Sequence, residues 1–196
     1  MSAFTSDTAL VFIDFINEIV DPKGKLAGKG YAKFDDERKA LQHAAALLGK
    51  ARASGAAIVH VRVGFSPDYK EQPEDSPLFG AAKKFGALKL GDWGTEFHPL
   101  VLPAQNEGVL VKHRVSAFYG TPLEAILRTY GVKKLIVAGC ATDVAVQAAA
   151  RDAHDRDFAC IVAADCCIAA TEDDHQQALR MLAKVASIQD SEALFC

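Results

Sequence analysis

The sequence predicts an α/β protein built on a mainly parallel sheet. Three observations carry this expectation: short, nearly all-apolar runs recur along the chain, segments of helical spacing separate them, and polar residues gather where the runs end. Such runs are too short for buried helices and suit strands covered on both faces. Their alternation with helices requires crossover connections, which make neighbouring strands parallel.

The first run, Ala9–Phe15, is followed by Leu41, Ala45, Leu48 and Ala51 at the spacing of one helix face. A second run covers Ala57–Val63. The interval from Gly64 to Glu107 then breaks the pattern. It holds five prolines (Pro67, Pro73, Pro77, Pro99 and Pro103) and scattered aromatics, and an excursion this long in one domain is expected to be a lid or an oligomer contact. The run Gly108–Lys112 precedes a helix marked by Leu123, Ile126 and Leu127. Lys134–Ala138 leads to a helix carrying Val146, Ala149, Ala150 and Ala153, and Cys160–Ala164 leads to one carrying Ala178, Leu179 and Leu182.

With 196 residues, half of them apolar, and no repeat or linker, the chain is expected to be a single domain spanning residues 1–196. A formal charge of -3 gives no basic field to neutralise a phosphate backbone, which argues against nucleic acid as a partner. No stretch approaches the roughly 18 apolar residues of a membrane span, and the first residues lack a secretory pattern, so a cytoplasmic protein without membrane contact is expected. The five cysteines, Cys140, Cys160, Cys166, Cys167 and Cys196, are expected to be reduced and mostly buried.

A parallel sheet places its chemistry at the carboxyl ends of its strands, where Asp14, Lys112, the Gly139–Asp143 turn and Asp165 fall. Asp14 ends an apolar run, and partial burial there would raise its pKa and suit it to proton transfer unless a cation holds it ionised. Lys112 is either that cation or a surface lysine that merely follows a strand. In Gly139-Cys140-Ala141-Thr142-Asp143-Val144-Ala145 a strand turns into a helix, presenting backbone N–H groups of the kind that stabilise an oxyanion, with Thr142 or Asp143 as the expected N-cap.

In this order the residues resemble the isochorismatase-like superfamily of hydrolases. The resemblance rests on Ala-Leu-Val-Phe-Ile-Asp14, on Val-Leu-Val-Lys112 followed by Ser116-Ala117-Phe118-Tyr119-Gly120-Thr121-Pro122-Leu123, on Gly139 with Arg151-Asp152-Ala153, and on Val162-Ala163-Ala164-Asp165. It implies a Rossmann-like, three-layer α/β/α fold with a six-stranded, mainly parallel sheet and an Asp-Lys-Cys triad at its carboxyl edge. Carried over by position, Asp14 is the acid/base and Lys112 the orienting cation. The resemblance also implies a cis peptide at Cys140-Ala141 and an oxyanion hole from the N–H groups of Ala141 and Ala145.

Two departures stand out. Ile16 replaces the usual glutamine, and the position of the nucleophilic cysteine is Ala145, whose methyl group cannot attack a carbon. Cys140 lies five residues upstream, and its thiol is expected to point into the core. The histidine and aspartate pattern of metal-binding relatives is missing around His60 and Asp68, so no metal or other cofactor is expected. Arg62, His113 and Arg114 are candidates for holding a substrate carboxylate, and Phe15, Trp93, Phe118 and Tyr119 are candidate pocket walls, with ordinary packing as the alternative.

Three functional readings follow for a small-molecule substrate. The first is a cysteine-independent hydrolase that uses Asp14 and Lys112 on an isochorismate-like vinyl ether. The second is an amidohydrolase for amides, carbamoyl compounds or ureides with its nucleophile replaced at position 145. The third is a non-catalytic binding or scaffold protein. The resemblance also implies a homo-oligomer, a dimer or tetramer.

Overall fold

The computed structural model describes residues 5–195. Six parallel strands form one sheet in the order β3-β2-β1-β4-β5-β6. They are β1 (Thr8–Ile13), β2 (Ala57–Val63), β3 (Gly108–Lys112), β4 (Lys134–Gly139), β5 (Ala159–Ala163) and β6 (Ser187–Gln189). From β1 the chain builds outward through β2 to β3, returns to lay β4 on the other side of β1, and then builds outward in the opposite direction. Crossovers between parallel strands are right-handed, so this reversal puts the helices before and after it on opposite faces of the sheet. The switch point lies between β1 and β4, whose following connections cross to opposite faces of the sheet.

Among the described residues, seven α-helices connect the strands: α1 (Asn17–Val20), α2 (Tyr31–Arg38), α3 (Ala40–Ser54), α4 (Ala82–Phe85), α5 (Leu123–Thr129), α6 (Gln147–Asp155) and α7 (Glu172–Leu182). The helical spacings in the sequence fall on α3, α5, α6 and α7, and the inward residues Leu41, Leu48, Ala51, Leu123, Leu127, Ala149, Ala150, Ala153, Ala178 and Leu182 are buried. Every residue of β1 is buried, as expected for a central strand covered on both faces. α7 starts with Thr171 as N-cap, its hydroxyl accepting from the Asp174 N–H at 3.1 Å, with Glu172, Asp173 and Asp174 in the positive first turn.

β5 runs Ala159–Ala163, one residue earlier than the expected Cys160–Ala164, and β1 starts one residue earlier, at Thr8; two further boundaries differ from expectation for a local reason. β1 stops at Ile13 rather than Phe15 because Asp14 adopts φ 57°, which breaks the extended run and turns its carboxylate back toward β2. β4 extends to Gly139, whose φ is 154°; a Cβ there would sit 2.1 Å from the Ile13 carbonyl oxygen, so only glycine lets β4 close on β1 at this rung. The sixth strand, β6, is three partly exposed residues at the sheet edge and carries no apolar run to signal it.

The excursion over residues 64–107 is ordered. It contains α4 and short 3₁₀ turns at Trp93–Thr95 and Pro99–Val101, and it is anchored by the buried side chains Phe65, Phe79, Phe97 and Val101. Phe65 meets Phe79 edge to face, with ring centroids 5.6 Å apart. No helix among the described residues is long and apolar enough to cross a membrane.

Candidate active site

The strand register sets the site. Ile13 pairs with both Val61 and Gly139, and Val63 pairs with Lys112, so Asp14, Lys112 and the turn after Gly139 leave the sheet at one edge. Asp14 Oδ2 lies 2.7 Å from Lys112 Nζ, and both side chains are almost completely buried. The other carboxylate oxygen accepts from the Val63 N–H at 2.6 Å, while the Asp14 N–H donates to the Val61 carbonyl at 2.8 Å. Lys112 also donates to the carbonyls of Arg114 at 3.1 Å and Val115 at 3.0 Å, so its ammonium is satisfied on several sides. Burial pushes the Asp14 carboxyl up, and the Lys112 ammonium and Val63 amide oppose that push without cancelling it.

Beside this pair, Cys140-Ala141 is a cis peptide and the chain enters a wide turn at Thr142–Val146 that runs on into α6. The Ala141 carbonyl accepts from the N–H groups of Val144 and Val146, both at 3.1 Å, and the amide of Ala145 lies between them in sequence. The expected N-cap at Thr142 or Asp143 is not formed. Ala141 occupies the cap position without a side-chain bond, because the Thr142 hydroxyl turns inward to the Ile168 carbonyl at 3.1 Å and to His175 Nδ1 at 2.9 Å. His175 is fully buried, and burial pushes its pKa down, so the neutral ring helps to fix the back of the turn.

A cavity of about 610 Å³ opens above these groups, with Asp14, Lys112, Cys140, Ala141 and Ala145 on its floor. This size suits a small organic molecule. Its walls come from two segments. One is the stretch after α1, with Lys25, Lys29 and Tyr31, which no sequence pattern assigned to the site; the other is the excursion, expected as a lid or an oligomer contact, which contributes Leu78, Phe79 and Phe85. Both leave the carboxyl edge of the sheet, and the glycines Gly24, Gly28 and Gly30 are the sequence signal that the first one turns tightly there.

The proposed substrate contacts and walls lie elsewhere. Arg62 donates to the Thr95 carbonyl at 3.0 Å, with its guanidinium 5.5 Å from the Phe97 ring centroid. Phe15 is buried against Phe12, and Phe118 packs on Phe158 and the Arg156 guanidinium. Trp93 is half exposed, and its carbonyl accepts from Asn17. His113, Arg114 and Tyr119 border a separate cavity of about 260 Å³, where Arg114 is held by the carbonyls of Glu71 and His113. Arg62, His113, Arg114, Phe15 and Phe118 are drawn aside by a nearer carbonyl or ring partner, while Trp93 and Tyr119 are exposed outside the large cavity.

Ile16 is buried and bridges to Phe97. His60 lies within the sheet, its Nε2 2.9 Å from Glu107, and Asp68 bonds to Ser66 and Lys70. Among the described residues, no group of three or more histidines, cysteines, aspartates or glutamates is placed to hold a metal ion. Asp165 accepts from the Ser191 N–H and hydroxyl, a structural tie between β5 and the C-terminal turn. Cys140, Cys160, Cys166 and Cys167 are free and buried. Cys140 borders the cavity floor, and burial holds its thiol well above the ordinary range. Cys196 lies outside the described residues.

A family model described as the isochorismatase domain matches residues 8–193. The chain belongs to the isochorismatase family. An uncharacterised family member from Escherichia coli O157:H7 is 34% identical over 191 residues, covering 93% of each chain. A maleamate amidohydrolase of Pseudomonas putida is 30% identical over 173 residues, covering 88% of this chain and 78% of that one. A ureidoacrylate amidohydrolase of Methylorubrum extorquens is also 30% identical, over 176 residues, covering 83% and 71%. Among solved structures, an isochorismatase family protein from Desulfovibrio vulgaris superposes with a TM-score of 0.85 at 29% identity, covering 96% of each chain. The N-carbamoylsarcosine amidase of Thermoplasma acidophilum gives 0.74 at 28% identity, covering 95% and 97%. This is a family of hydrolases.

Proposed function

We propose that this chain hydrolyses a small amide, carbamoyl or ureide substrate with water, rather than a thiol, as the attacking group. The observation that carries the reading is the buried Asp14–Lys112 pair at 2.7 Å, which shares the cavity floor with Ala145. The relatives with named activities described above are amidohydrolases, which supports C–N chemistry over cleavage of a vinyl ether.

In this reading Asp14, its pKa raised by burial, is the base that takes a proton from water as the oxygen adds to the carbonyl carbon. The N–H groups of Ala141 and Ala145 receive the oxyanion. Asp14 then returns the proton to the departing nitrogen, the C–N bond breaks, and an acid and an amine or ammonia leave. Lys112 keeps the carboxylate ionised between these steps and fixes its orientation. Ala145 excludes the covalent route open to a cysteine there, so turnover is slow.

Turnover is tested by incubating the chain with a panel of primary amides, N-carbamoyl amino acids and ureides and detecting products by mass spectrometry. Product that disappears in Asp14→Asn supports the proposal. Turnover unaffected by Asp14→Asn overturns it, and binding without turnover in the native chain points instead to a binding protein.

The same reading includes a homo-oligomer. Leu78, Phe85, Trp93, Leu100 and Leu102 on the excursion stay exposed in the single chain, an apolar surface that self-association would cover. Light scattering after gel filtration reads this directly, and a monomer at micromolar concentration would contradict it.

A further inference from the structure

The histidine behind the turn at Thr142–Val146 holds a definite tautomer. The Thr142 hydroxyl has one proton and two neighbours, the Ile168 carbonyl at 3.1 Å and His175 Nδ1 at 2.9 Å. A carbonyl only accepts, so both contacts are hydrogen bonds when the hydroxyl donates to Ile168 and itself accepts from an Nδ1–H. The other ring nitrogen agrees. Nε2 of His175 is buried with no partner among the described residues, and a proton placed there would be a donor with nothing to receive it. His60 is the opposite case: its Nε2 lies 2.9 Å from Glu107, a carboxylate that only accepts, and its Nδ1 is the buried atom without a partner.

The contact ties a helix to the turn. His175 lies early in α7, where its own N–H bonds the Thr171 carbonyl at 3.1 Å, and its ring packs beside Phe34 of α2 with centroids 5.3 Å apart. Thr142 opens the turn. Its N–H also goes to the Ile168 carbonyl, at 2.9 Å, and the Ile168 N–H bonds the Gly139 carbonyl at 3.0 Å. Two bonds to one carbonyl and one from the ring leave the peptide between Ala141 and Thr142 little freedom to rotate. The carbonyl of that peptide accepts from the Val144 and Val146 amides, so its orientation sets the path of the backbone that presents the Ala145 N–H.

We infer that His175, as the Nδ1–H tautomer, is a positioning residue: by donating to Thr142 it holds the turn so that the Ala141 and Ala145 amides face the cavity, while the ring itself stays outside the cavity lining. The link to turnover rests on the proposed function; the tautomer and the order of the turn do not. An oxyanion exists only once water has added, so a group that aligns its donors acts on the transition state, and its loss lowers kcat with little change in KM.

Long-range proton–nitrogen correlation spectra of the native chain read the ring protons directly. His175 is expected to show a protonated Nδ1 and a bare Nε2, with His60 showing the reverse as an internal reference. A bare Nδ1 on His175 overturns the tautomer and with it the donated bond. His175→Leu removes the donor while keeping an apolar side chain in the buried space, and His175→Asn returns an N–H close to the place of Nδ1. In amide hydrogen exchange, His175→Leu is expected to speed Thr142 and Val146 at least about tenfold more than Val11 in β1, with His175→Asn recovering most of the loss. Equal acceleration at all of these amides marks general destabilisation and overturns the positioning role.

On an amide that the native chain cleaves, His175→Leu is expected to lower kcat roughly ten- to a hundredfold at nearly constant KM, and His175→Asn to restore part of it. A raised KM with kcat unchanged overturns the inference. Absence of turnover in the native chain overturns the proposed function instead, and the spectra and the exchange rates then still decide the tautomer and the order of the turn.

Discussion

Replacing Lys112 with methionine keeps a four-atom unbranched stem and removes the charged ammonium, leaving Asp14 buried at the cavity floor with only the Val63 amide at 2.6 Å to support its negative form. Breaking one side of a buried pair typically costs about 3–5 kcal/mol, because the remaining charge is uncompensated. Asp14 can escape that cost by taking a proton. Burial already pushes its pKa up against the opposition of Lys112, and removing the ammonium removes the largest opposing influence. The sign follows from linkage. An acid whose folded pKa lies above its unfolded value near 3.8 carries no penalty below that value, and the penalty grows as pH rises toward the folded pKa. Urea unfolding of Lys112→Met is therefore expected to show a deficit of about 3–5 kcal/mol near pH 8 that shrinks toward pH 4.5. Protein concentration is held fixed so that association does not enter the comparison. Asp14→Asn/Lys112→Met should lose less than the sum of the single changes, and asparagine tolerates the φ of 57° at position 14. A deficit that is absent, or that grows as pH falls, refutes the reasoning.

Gly139→Ala drives a methyl group to within 2.1 Å of the Ile13 carbonyl and strains the backbone, so the melting temperature should fall by roughly 10 °C; scanning calorimetry showing an unchanged midpoint contradicts that placement. Burial raises the Glu107 carboxyl, but bonds from Arg52, the Ala104 amide and His60 outweigh it and hold the group at about 2. A depressed carboxylate contributes stability that is present above the ordinary value of 4.5 and is lost as pH falls through about 2, amounting to roughly 3 kcal/mol. Glu107→Gln should flatten that acid limb in a pH series of denaturation midpoints, and an unchanged limb rules out this source.

What was legible in the sequence followed physical regularity. β2 and β3 begin and end where their apolar runs do, because burial on both faces requires unbroken apolar residues. Asp14 and Lys112 stood out because each ends such a run, and the structure brings their side chains together. The cavity walls were not legible, since Lys25 sits in an irregular stretch and Lys29 and Phe85 in single helical turns too short to show a period. Arg62 looked available at a strand end, yet its guanidinium is taken by the Thr95 carbonyl, a partner 33 residues away in sequence. Local pattern reports burial well, but it does not report which of several nearby acceptors a long cationic side chain reaches.

The central claim is that the cavity floor is an amide-hydrolysing arrangement lacking only a covalent nucleophile. The direct test is the Ala145→Cys variant, assayed for release of amine or ammonia from the same amide and ureide panel. Position 145 is buried on the floor beside Asp14 and Lys112, so a thiol there would have a base to take its proton and a cation nearby to favour the thiolate. The account predicts turnover at least about a hundredfold above the native chain, abolished by Asp14→Asn in the same background and accompanied by an acyl-enzyme adduct in the mass spectrum. A folded Ala145→Cys variant that is alkylated readily yet cleaves no member of the panel and forms no adduct would contradict it.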